Sequence, residues 1–123
     1  MTRGKCKHYI TGNLNSKTSY QYNDAITASS GVTKRKYRAY KFGRIIVYLI
    51  QFDITTAKSN NDTIFTGIPS EFRPIDTYYA LVQASAENPC IIGVTAGGNI
   101  VAGGSGLPVK QWYTGTIVAI SAR

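Results

Sequence analysis

The sequence is short of charge and of reactive side chains. Only 16% of its 123 residues are charged, against roughly 25% in soluble domains. Six residues are acids, two are cysteine, and histidine, tryptophan and methionine occur once each. One histidine, His8, and two distant cysteines, Cys6 and Cys90, do not make up a structural zinc set, and no C-x-x-C pair is present. No metal and no cofactor is expected. Two cysteines are also too few for a disulfide-framed secreted module. They read as unpaired thiols of a protein made in a reducing compartment, with a Cys6–Cys90 bridge as the alternative. The longest apolar run, Ile45 to Ile50, has six residues, whereas a bilayer-spanning helix takes about 20, so no membrane insertion is expected. The opening MTRGKCKHYITGNLNS is basic but lacks an apolar stretch behind it, and reads as no secretion signal.

Catalytic patterns are missing as well. His8 has no serine or aspartate near it in the sequence, and the GGSG stretch lacks the Lys-Ser/Thr of a phosphate loop. Each of the six acids sits in or beside a turn or strand end, where acids are common without function. The chain is therefore expected not to be an enzyme, and no catalytic residue is assigned. Asn61-Asp62-Thr63 fits the glycosylation triplet, a match that arises easily by chance.

What is present is β-structure. Hydrophobic residues make up 43% of the chain and nine residues are tyrosine, enough for one continuous core in a domain of this length. No window carries apolar residues at helical spacing between credible caps. Residues 45–54, IIVYLIQFDI, alternate instead. Ile46, Tyr48, Ile50, Phe52 and Ile54 share one face; Ile45, Val47 and Leu49 lie on the other, before Gln51 and Asp53. A strand apolar on both faces needs a second cover from a loop, an N-terminal arm or another subunit. Residues 55–64 read as a loop and 65–75 as extended but irregular, because Pro69 and Pro74 remove backbone donors. Strands follow at 77–85 and around Gly97-Gly98, a hairpin signal. Gly103-Gly104-Ser105-Gly106 reads as a flexible link and 111–120 as the last strand. Weak strands at 8–11 and 18–22 precede an edge or arm strand at 33–42. Turn signals at this spacing predict an antiparallel β-sandwich or barrel.

Charge is unevenly placed. Residues 1–44 hold ten of the fourteen bases and one acid, Asp24; residues 45–123 hold four bases and five acids. A basic first third on a near-neutral body favours a negatively charged partner, unless the block serves solubility alone. Within it, Lys34-Arg35-Lys36-Tyr37-Arg38-Ala39-Tyr40-Lys41 interleaves bases with rings. Phosphates would attract such a ribbon and nucleobases could stack on it, which makes a nucleic-acid-binding β-barrel the alternative reading. Trp112 follows Pro108-Val-Lys-Gln at a strand start, a plausible ligand platform. Tyr48, Tyr78 and Tyr79 read as core or interface filler. The expected ligand contacts are Trp112 and Tyr113 as stacking surfaces, with Tyr37, Arg38 and Tyr40 as their charged and aromatic supplement.

Residues 43–123 resemble the receptor-binding head domains of tail proteins from phages of Gram-positive bacteria. The likeness lies in the Gly-led strand GRIIVYLIQF, the Gly67–Pro74 stretch GIPSEFRP, the hairpin IIGVTAGGNIV and the closing WYTGTIVAISAR. It implies a jelly-roll-like β-sandwich, assembled as a homotrimer at a tail tip or baseplate beside other tail proteins. It also implies recognition of host cell-surface saccharides or anionic wall polymers, with Arg73 and Pro74 in a structural role. On this reading 1–42 is a basic N-terminal arm or neck and 43–123 the head, unless 1–123 is one domain. A fibre-assembly or trimerisation tip without a ligand is a further alternative.

Overall fold

The computed structural model describes residues 20–84 and 89–123. Their chain is all-β, and its strands pair antiparallel: β1 (Gln21–Asn23), β2 (Thr27–Ala28), β3 (Val32–Phe42), β4 (Ile45–Ile54), β5 (Thr63–Thr66), β6 (Tyr78–Gln83), β7 (Cys90–Val94), β8 (Ile100–Gly103) and β9 (Lys110–Ile120). The only helical element among the described residues is a single 3₁₀ turn, Ser70–Phe72. The strands form one sheet in the order β1-β3-β4-β9-β6-β7-β8-β5-β2.

That sheet curls. Its two edges, β1 and β2, are separated in sequence only by residues 24–26, so a short piece of chain holds them near each other. Phe52 of β4 meets Phe65 of β5 edge to face at 5.7 Å, although four strands lie between them in the sheet. The hydroxyl of Tyr48 reaches across to donate to the carbonyl of Phe72. The result is a half-barrel around one core. A sheet whose flanks face each other needs only one apolar face, and β4 supplies it by strict alternation. Ile46, Tyr48, Ile50, Phe52 and Ile54 are all buried, as the sequence pattern predicts. Tyr113 of β9 stacks on Phe52 at 5.3 Å.

The first third differs from the expected arm. β3 pairs with β4 along its whole length, from Val32↔Ile54 to Phe42↔Ile45, and buries Val32, Tyr37 and Ala39. Residues 21–42 are thus part of the same sheet. The expected boundary at 42/43 is a two-residue hairpin loop whose Gly43 has φ +61°, the positive value a tight β3–β4 turn needs. The strand expected at 8–11, the start of the one at 18–22, His8 and a Cys6–Cys90 bridge lie outside the described residues. The Gly97-Gly98 hairpin is present between β7 and β8, with Gly98 at φ +89°. Arg73 packs against it, its Nε donating to the Ile68 carbonyl at 2.7 Å. The GGSG stretch is an ordered turn rather than a loose link. Gly106 N–H donates to Gly103 O at 2.9 Å, and Leu107 and Lys58 then exchange backbone hydrogen bonds.

Because Phe52 touches both Phe65 and Tyr113 with no exposed surface, Phe52→Ala is expected to destabilise the fold by about 3–5 kcal/mol. The exposed Thr116→Ala is expected to change stability by less than ~0.5 kcal/mol. Urea unfolding of the two variants checks both values.

Candidate binding surface

The outer face of β3, β4 and β9 is laid out in rows set by the pairing register. Phe42, Ile45 and Ile120 form one end row; Tyr40, Val47 and Val118 come next. Arg38, Leu49 and Thr116 follow, then Lys36, Gln51 and Thr114. At the far end the regular pairing breaks. Lys34 pairs with Phe52 and Lys36 with Gln51, which leaves Arg35 as an extra residue on β3. Phe52 pairs with Tyr113 and Ile54 with Lys110, so Gln111 and Trp112 both stand opposite Asp53. Two bulges therefore flank one position of β4, and bulges re-aim side chains.

They bring Arg35, Asp53 and Trp112 together. Arg35 Nε donates to Asp53 Oδ1 at 2.6 Å, and the Trp112 backbone N–H donates to the same oxygen at 2.8 Å. The Arg35 guanidinium carbon lies 3.5 Å from the centre of the indole, a cation–π stack. Trp112 has φ +66°, a left-handed conformation that costs a non-glycine residue about 1–3 kcal/mol. Its side is 50% exposed, whereas Asp53 is 7% exposed under the two groups it holds. The guanidinium beside Asp53 holds its carboxyl below the usual carboxylate range, through the hydrogen bond first and the charge as well.

The expected contact residues separate on this frame. Trp112 stands on the surface, and Arg38 is exposed two rows away. Tyr40 is half-buried in an aromatic cluster with Tyr20, at 5.7 Å, and Tyr22, at 5.2 Å. Tyr113 and Tyr37 point the other way and are buried, at 1% and 3% exposure. The reason is the alternation itself. Neighbouring residues on a strand face opposite sides, so Tyr113 goes inward where Trp112 goes outward. Burial pushes the phenol pKa of Tyr37 and Tyr113 up. Sequence reasoning missed Arg35 and Asp53 as members of the site, because neither bulge has a residue signature of its own.

Three other acids serve local structure. Asp62 accepts from Ser59 N–H, Asp76 from Thr77 N–H, and Asp24 from the Tyr22 hydroxyl. Among the described residues no group of His, Cys, Asp and Glu is placed to hold a metal ion, and no helix is long and apolar enough to cross a membrane. An open pocket of about 660 Å³ lies between Ala57–Lys58, Pro89–Cys90 and residues 105–108. The Tyr113 hydroxyl donates to the carbonyl of one lining residue, Pro108, at 2.8 Å. No protein-family model and no curated protein matches this chain.

The two buried tyrosines separate packing from hydrogen bonding. The Tyr37 hydroxyl has no hydrogen-bond partner among the described residues, so Tyr37→Phe is expected to be neutral or to stabilise by up to about 1 kcal/mol. Tyr113→Phe loses the bond to Pro108 and is expected to cost about 1 kcal/mol. Thermal or urea unfolding of the two variants side by side tests the contrast.

Proposed function

We propose that the chain is a non-catalytic adhesion module, a phage tail receptor-binding head that grips saccharides or anionic wall polymers on the host surface. The observation that carries this reading is the half-exposed Trp112 ring, held by Arg35 and Asp53 on a rigid sheet. An indole with an open face stacks on the apolar side of a sugar ring, and its rigidity keeps the ordering cost of binding low. Lys34, Arg35, Lys36 and Arg38 are all exposed along β3 beside it, an arrangement suited to phosphate or carboxylate groups on the same polymer.

The module works as a homotrimer at a tail tip or baseplate, where several weak sites add up through multivalency. The support is the apolar end of the same outer face. Phe42, Ile45, Val118 and Ile120 are 37–57% exposed there, and Tyr20 and Tyr22 are 58% and 44% exposed. Such a contiguous patch is costly on a lone subunit and is typical of an interface. A jelly-roll-like sandwich is the finer description of the fold that goes with this role.

A second reading rests on the exposed bases of β3. A nucleic-acid ligand for that ribbon predicts an affinity for single-stranded DNA or RNA that falls steeply with salt. A ligand-free assembly tip predicts an oligomer that ignores cells and sugars altogether.

Two experiments test the proposal. The purified protein is expected to bind isolated Gram-positive cell walls, and Trp112→Ala to weaken that binding by tenfold or more with little change in melting temperature. Unchanged binding by Trp112→Ala removes the indole from the site. Sedimentation is expected to give a trimer, and Val118→Glu to release monomers; a monomeric parent protein defeats the trimer.

A further inference from the structure

We infer that Asp53 is the positioning residue of the Trp112 plate, a role that rests on the adhesion reading for its functional meaning but not for its physical test. Trp112 is the only tryptophan of the chain, and its backbone lies in the left-handed region at φ +66°. Nothing intrinsic to a tryptophan favours that conformation, so the surroundings must hold it. The bulge opposite Asp53 puts two residues of β9 against one of β4, and the Trp112 N–H there donates to a carboxylate instead of a ladder carbonyl. The bond is charge-assisted, hence stronger than the neutral bond it replaces.

One oxygen does both jobs. Asp53 Oδ1 accepts from Trp112 N at 2.8 Å and from Arg35 Nε at 2.6 Å. Through the first bond it sets where the indole leaves the strand. Through the second it sets where the guanidinium lies, 3.5 Å from the centre of the same indole. The ring is thereby fixed at its backbone root and across one face. Arg35 covers that face, so a ligand meets only the opposite one. The terminal nitrogens of Arg35 make no hydrogen bond to any described residue, and they remain as donors at the edge of the plate. Asp53 touches no ligand in this scheme; it acts through the two residues that do.

The arrangement also orders the effects of substitution. Removing Arg35 leaves a carboxylate that is 7% exposed without its cation, and an uncompensated buried charge is the costlier defect. Asp53→Asn keeps the shape and one acceptor oxygen for the Trp112 N–H, but removes the charge that holds Arg35. The fold is therefore expected to survive Asp53→Asn while the stack loosens.

The test uses the whole chain and its single indole. In Asp53→Asn, acrylamide quenching of the Trp112 fluorescence is expected to rise about twofold and the near-ultraviolet circular dichroism of the indole to weaken, because both faces become accessible. Binding to isolated Gram-positive cell walls is expected to fall about tenfold, the loss of a hydrogen bond to a charged group. Asp53→Glu, which retains the charge, is expected to recover part of both signals. An Asp53→Asn protein with unchanged quenching and unchanged indole dichroism overturns the inference. So does unchanged wall binding by Asp53→Asn where Trp112→Ala abolishes it. If Trp112→Ala leaves wall binding intact, the adhesion reading fails, and the fluorescence result still decides whether Asp53 positions the ring. Should Asp53→Asn fail to fold, Arg35→Lys supplies the same readout: it keeps the charge on Asp53 and gives up the flat stack, and unchanged quenching there equally overturns the inference.

Discussion

A single sheet can bury a core only if its two flanks are brought to face one another, and here residues 24–26 impose that condition. They tie β1, which pairs with β3 at one edge, to β2, which pairs with β5 at the other. Once the edges are held together, the inward positions of every strand converge. That is how Phe52 of β4 comes to meet Phe65 of β5, and how the Tyr48 hydroxyl finds the Phe72 carbonyl. Among the described residues β1 covers β3 only at Ala39, Tyr40 and Lys41. The rest of that edge carries the exposed Lys34, Arg35, Lys36 and Arg38, charges that discourage a stray strand.

The same constraint explains which parts of the fold the sequence discloses. Period-two alternation is a local signal, and it reads correctly over 45–54 because each inward residue of β4 meets the core without interruption. The Gly97-Gly98 hairpin is legible for a comparable reason: the turn itself demands a residue with positive φ. Residues 33–42 read correctly as a strand but not as an arm. Their exposed Lys34, Arg35, Lys36 and Arg38 resemble a solvated arm, yet β3 buries Tyr37, Ala39 and Lys41. Four exposed bases outweigh two buried apolar residues in any reading of composition. One sheet curled on itself and two sheets stacked face to face also share the same strand pattern, since what separates them is long-range pairing.

The candidate site is half legible. Trp112 stands out as the lone tryptophan at a strand start. Tyr113 and Tyr37 carry equally suitable rings, and only the phase of the strand decides that they turn inward. Arg35 and Asp53 leave no trace in the sequence because they meet through register breaks, 18 residues apart along the chain. Bulges arise from how two strands slip against each other, so neither strand encodes one alone.

The outer face of β3, β4 and β9 runs from a charged and aromatic end at Arg35, Asp53 and Trp112 to an apolar end at Phe42, Ile45 and Ile120. Eight residues of β9 separate the two ends, about 27 Å along an extended strand. The distance has a physical consequence. An interface that covers the apolar end removes Phe42 and Val118 from water without reaching the indole, so assembly and ligand contact do not compete for the same surface. Three exposed bases, Lys34, Arg35 and Lys36, lie at the far end, Arg38 sits between, and Arg44 stands beside the apolar row, its guanidinium donating to the Ser121 carbonyl. The positive field of the three is concentrated where an anionic ligand would arrive.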